Sequence, residues 1–187
     1  MTRQYLTQNV YEAFQQRMHF IFTEFDNIFV SFSGGKDSGL LLNLTLDFQK
    51  KYYPSKPIGV FHQDFEAQYT VTTEYVERTF QRLSQDPMVE LYWVCLPMAA
   101  RTCFSSYQMY WYPWDDTKQE LWVRPMPQHP YVIHLQNNPI TTDQYRMHQE
   151  DLAKQFGRCT GSLMESRKPS VCWASAPMNR CSGTAAF

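Results

Sequence analysis

Residues 27–42 read Asn27-Ile28-Phe29-Val30-Ser31-Phe32-Ser33-Gly34-Gly35-Lys36-Asp37-Ser38-Gly39-Leu40-Leu41-Leu42. The short apolar run Ile28-Phe29-Val30 is β-branched and aromatic, the pattern of a parallel strand buried on both faces. The leucine-rich run after Ser38 continues as a helix. Between them lies a loop of Ser and Gly. Backbone N–H groups at such a helix start lack intrahelical partners and sit at the positive end of the helix dipole, a combination that binds phosphate. Ser33, Gly34, Gly35, Lys36, Asp37 and Ser38 are therefore the candidate phosphate-binding residues. The glycines let the backbone close on an anion, Lys36 adds a point charge and the serines add donors. The spacing is neither that of a Walker A loop nor that of a dinucleotide fingerprint.

Outward from this loop, residues 5–25 carry Tyr5, Val10, Phe14, Met18, Ile21, Phe22 and Phe25 at helical spacing, which predicts a packing helix. The loop's own helix runs to about Lys51, where Pro54 and Pro57 stop it. A second strand, Ile58-Gly59-Val60-Phe61-His62, ends at Gln63-Asp64-Phe65-Glu66. Ligands of open α/β sheets sit at the carboxyl ends of strands, so Asp64 and Glu66 are candidates for ribose, adenine-side or magnesium contacts. A helix over residues 67–85 and a third strand over residues 89–96 complete a βαβαβ unit. The expected fold is α/β, a doubly wound parallel sheet with the first strand central.

Residues 101–136 break the pattern. They hold Tyr107, Tyr110, Trp111, Tyr112, Trp114, Trp122 and Tyr131, interrupted by Pro113, Pro125, Pro127 and Pro130. The segment reads as an ordered insertion at the crevice rim, either stacking a base or partner or simply packing on itself. Arg101 and Arg124 are single arginines that would suit phosphate. Thr141-Thr142-Asp143 reads as the cap of a helix reaching Phe156, with Gly157 as its stop.

A net charge of −1 over 187 residues gives no global basic field, so direct nucleic-acid binding is not indicated. No signal peptide and no membrane-length apolar run is visible, and the expected location is cytoplasmic. Cys95, Cys103, Cys159, Cys172 and Cys181 form no Cys-x-x-Cys, so no metal site and no iron–sulfur cluster is expected.

The Ser-Gly-Gly-x-Asp-Ser of residues 33–38, with Asp64 at the second strand end, resembles the PP-loop ATP pyrophosphatase superfamily. Residues 1–157 resemble its PAPS reductase-like branch, whose domains are adenine nucleotide alpha hydrolase-like. Trp111-Tyr112-Pro113-Trp114-Asp115-Asp116 is similar to a subgroup of phosphoadenosine phosphosulfate sulfurtransferases and IbrA-type regulators. The resemblance implies ATP or PAPS at the loop, with magnesium as accompanying ion, and adenylyl or sulfur transfer as chemistry. It implies that Lys36 stabilises phosphate charge. It also implies an alternative role, transcriptional co-regulation with a ParB-like partner. Thiol-dependent reductases of the branch use a C-terminal Glu-Cys-Gly-x-His; here Cys181 is followed by Ser182-Gly183-Thr184, so that chemistry is not expected. No residue qualifies as nucleophile or general base, and no catalytic residue is assigned.

The branch also carries a strand followed by Gly-Ile-Arg-x-x-Glu-Ser, which is missing. Hydrophobic periodicity is lost from about Arg158, and residues 158–187 read as an aberrant tail. Shifted by one base, with a choice of permitted synonymous codons, the stretch from Cys159 to Gly183 can be read to contain Thr-Val-Cys-Leu-Leu-Gly-Ile-Arg-Ala-Asp-Glu-Ser. The expectation is a frameshift near codon 158, an incomplete C-terminal part, an uncovered edge on the first strand and a third possible outcome, an inactive product.

Overall fold

The computed structural model describes residues 7–140, 147–163 and 171–174, with backbone alone at 158–163 and 171–174. Asn9 opens the first helix, α1 (Val10–Glu24), with a reciprocal capping box: Glu12 N–H donates to Asn9 Oδ1 at 2.9 Å and Asn9 N–H to Glu12 Oε2 at 3.1 Å. The start of the predicted helix, at Tyr5, lies outside the described residues. Lys56 Nζ donates to the carbonyls of Phe22 and Phe25, closing the other end of α1.

β1 (Ile28–Ser31) leads through the Ser-Gly loop into α2 (Lys36–Tyr52); β2 (Ile58–Gln63), α3 (Thr70–Leu83) and β3 (Val89–Val94) follow. These are the predicted βαβαβ elements, with ends moved by one to three residues. Beyond them come a two-stranded antiparallel ribbon, β4 (Ala100–Arg101) and β5 (Tyr110–Trp111), then a 3-10 turn (Asp116–Leu121), β6 (Val132–Ile133), α4 (Gln149–Leu163) and β7 (Val171–Ala174).

The main sheet has the order β6-β3-β2-β1-β7, and every pair in it is parallel. It is an α/β fold. Ile28, Val30, Phe32, Ile58 and Val60 pack one face against Met18 and Phe22 of α1, Leu42 and Leu46 of α2, and Val76 and Phe80 of α3. Phe29, Phe61 and Tyr92 point the other way, and Phe156 of α4 packs on all three, with ring centroids 5.0, 4.5 and 4.9 Å away. Crossovers β1-α2-β2 and β2-α3-β3 advance in one direction and α4 returns to β7 on the far side of β1. Right-handed crossovers in opposite directions place their helices on opposite faces, which is what the two clusters show.

Three expectations are corrected. α4 runs straight through Gly157 to Leu163 rather than stopping there; the nearest side-chain atom to a Cβ built at Gly157 is Phe29 Cε1 at 3.7 Å, ordinary contact. Its predicted cap at residues 141–143 lies outside the described residues. β1 has no uncovered edge, because Ile28 to Ser31 pair in register with Val171 to Ala174. And the aromatic segment contributes a strand to the main sheet: β6 pairs Trp93 with Val132 and Val94 with Ile133. Two residues flanked by prolines and histidine are too short for a periodicity to register.

Phe156→Ala tests the second face. It removes the ring that meets Phe29, Phe61 and Tyr92, and unfolding free energy should fall by about 3–5 kcal/mol in urea denaturation; a loss under about 1 kcal/mol would mean α4 does not cover that face.

Candidate functional site

The loop after β1 lies at the point where strand order reverses, between β2 on one side and β7 on the other. Crevices of open α/β sheets form at such points. Gly34 has φ +80°, and a Cβ there would stand 2.9 Å from Thr72 Cγ2 and Val76 Cγ2, so position 34 needs glycine on both counts. Gly35 is the N-cap of α2, and no side chain caps this end. Ser33, Gly35, Lys36 and Asp37 are exposed. Ser38 is different: it is 1% exposed, and its Oγ donates to the Gly35 carbonyl at 2.9 Å. Ser38 Oγ also accepts the Ser33 N–H at 3.3 Å and meets Ser33 Oγ at 3.0 Å. Ser38 thus shapes the loop, while Lys36 and the Gly34–Gly35 backbone line its open side.

Asp64 and Glu66, one strand over, face inward. Asp64 is fully buried. Arg124 Nη2 lies 2.6 Å from each of its oxygens, Trp93 Nε1 donates to Oδ2 at 2.7 Å, and Glu66 N–H donates to Oδ1 at 2.7 Å. Glu66 sits at φ +61°, held in that conformation by the turn Asp64 closes. Its carboxylate accepts the Trp114 N–H at 2.8 Å and the Val123 N–H at 2.9 Å, and its carbonyl accepts Arg124 Nε at 3.0 Å. Trp114, also left-handed at φ +55°, donates its indole N–H to the Asp64 carbonyl at 3.2 Å, and Arg124 covers its ring at 4.9 Å. The two carboxylates therefore fasten the aromatic segment to the end of β2. A guanidinium across both oxygens of Asp64 leaves that carboxylate unfit to hold magnesium.

From the sequence, Arg124 suited a phosphate, and Trp114 belonged to a segment that would stack a base or partner or pack on itself. The legible signal was charge balance: two carboxylates at one strand end and a lone arginine among tryptophans. Arg101 is exposed at the end of β4.

Beside Asp64, burial raises the Cys95 thiol well above its ordinary range, reinforced by the neighbouring carboxylate. It is a thiol at neutral pH and no nucleophile. His62 is buried too; the group on Nδ1 is the Phe32 carbonyl at 2.7 Å, and Nε2 has no hydrogen-bond partner. Burial lowers its pKa below 6.5, against the opposing pull of Asp64. Among the described residues no group of His, Cys, Asp and Glu could hold a metal ion, and no helix is long and apolar enough to cross a membrane.

Over 123 residues, 66% of this chain, the sequence is 38% identical to the uncharacterized protein YbdN of Escherichia coli strain K12, and the match spans 29% of that protein. No family model and no solved structure matches.

Two outcomes test this network. Arg124→Ala strands a buried carboxylate, and stability should fall by about 3–5 kcal/mol, with the double variant Arg124→Ala/Asp64→Asn losing less than the sum of the singles; additive losses would show that the pair does not interact. His62 gives a pH signature. Because its folded-state pKa is below 6.5, the unfolded chain takes the proton first. Stability is whole above pH 6.5 and falls as the pH drops towards the folded-state value, by up to about 1.4 kcal/mol per pH unit. His62→Phe should flatten that slope in urea midpoints read at about pH 7.5 and about pH 5.5; an unchanged slope would assign it to another group.

Proposed function

We propose that the chain binds an adenine nucleotide, ATP or PAPS, with its phosphate or sulfate groups on the loop of Ser33, Gly34, Gly35 and Lys36. The observation that carries this reading is the α2 N-terminus: a left-handed Gly34, an N-cap Gly35 without a side-chain cap, and Lys36 in the first turn, all at the strand-order reversal. An anion there meets backbone donors and the helix dipole at once. The Ser-Gly-Gly-x-Asp-Ser resemblance supplies the nucleotide and the PP-loop family. Ser38 takes the role of holding the loop's shape, and Asp64 and Glu66 act as positioning residues that carry no ligand. Adenylyl or sulfur transfer belongs to this reading as the chemistry that the PP-loop resemblance implies; a buried, protonated Cys95 supports no thiol-based reduction.

A second reading, a nucleotide-responsive regulator docking a ParB-like partner, draws on the ribbon tip. Phe104 and Tyr107 there are 95% and 100% exposed, an unusual cost for two aromatic rings without a partner.

A thermal-shift panel of ATP, PAPS, APS, AMP and adenosine, with and without magnesium, tests nucleotide binding. ATP or PAPS should raise the melting temperature more than adenosine does, and Lys36→Ala should weaken binding by about tenfold, equal to about 1.4 kcal/mol. The reading fails if millimolar nucleotide shifts neither protein.

A further inference from the structure

A second cleft opens away from the phosphate loop, at the carboxyl ends of β3 and β6. β1 and β3 are separated by β2 in the sheet, and the buried Asp64–Arg124–Trp114 network stands at the end of β2 between the two places. The cleft is about 270 Å³. Its floor is Cys95, Val132 and Trp114, all buried. Trp122, Met126, Pro127 and Leu135 form the walls.

The chemistry of this lining selects its ligand. Both indole N–H groups are spent on the protein: Trp114 Nε1 on the Asp64 carbonyl and Trp122 Nε1 on the Asp115 carbonyl at 3.1 Å. The two rings stand edge to face at 5.1 Å. What the tryptophans offer the cleft is therefore hydrocarbon and π-surface, and Met126 adds a polarizable thioether. Polar groups also line it: Gln119, Gln128 and Gln136 carry amides, and His129 and His134 imidazoles. No lysine or arginine lines the cleft, and Asp116 is its one carboxylate. Phosphate is thus disfavoured here, in direct contrast to the loop beside Lys36. Cys95, kept as a neutral thiol, adds no charge to the floor.

We infer that this cleft is a separate binding site for an uncharged bicyclic heteroaromatic compound, its ring against the Trp122, Met126 and Leu135 walls and its polar edge at the glutamine rim. The inference does not depend on nucleotide binding at the loop.

Saturation-transfer NMR on the full chain with indole and with benzimidazole tests it. Saturation should reach at least one probe, and titration should give the same affinity for the wild type and for Lys36→Ala. Gln128→Trp places a ring at an exposed rim position without touching the core, and should weaken binding by tenfold or more with circular dichroism unchanged. Added inorganic tripolyphosphate, which carries no ring, should leave the probe bound. The site is refuted by no transfer to either probe, by full binding in Gln128→Trp, or by displacement with tripolyphosphate or loss in Lys36→Ala, either of which puts the ring at the Lys36 loop instead. A wild-type chain that ignores ATP in the thermal-shift panel yet holds the ring would overturn the loop reading alone.

Discussion

Arg124 lies across the buried carboxylate of Asp64, and the aromatic segment is placed by that contact. A buried ion pair is a poor source of net stability, since removing both charges from water costs about as much as their attraction returns. Its value is positional. Residues 114–124 are held in an arrangement in which Arg124 reaches both Asp64 oxygens while Glu66 receives the Trp114 and Val123 N–H groups. Two non-glycine residues at positive φ, Glu66 and Trp114, meet in the same network, and such conformations persist where surroundings over-determine them.

That clamp divides the carboxyl edge of the sheet into two chemically different regions. On the β1 side the backbone, the helix dipole and Lys36 favour an anion. On the β3–β6 side, tryptophan faces and amides favour an uncharged ring. β2 carries the separator, because its strand end supplies both carboxylates.

How far the residues spoke for themselves depended on the range of the interaction. β1, the loop, α2, β2, α3 and β3 were legible because their signals are local: apolar runs, helical periodicity and glycine at a forced turn. β6 escaped because two residues cannot display a period. The stop assigned to Gly157 failed because glycine lowers helix propensity without forbidding a helix that packs on Phe29, Phe61 and Tyr92. The edge of β1 was expected to be bare because residues 171–174 carry so weak a strand pattern; pairing on an existing parallel edge needs backbone more than pattern.

The amino-acid sequence by itself determined the geometry of the loop over residues 33–38, since Gly34 and Gly35 before a leucine-rich helix encode a local turn and a helix start. It also determined the α/β class, through the alternation of buried strands and amphipathic helices. Only the tertiary structure decided what Asp64, Glu66 and Arg124 do. A carboxylate at a strand end reads the same whether it faces a ligand or an arginine sixty positions away in the chain, because burial and pairing are set by which surfaces meet and not by the residues that flank them.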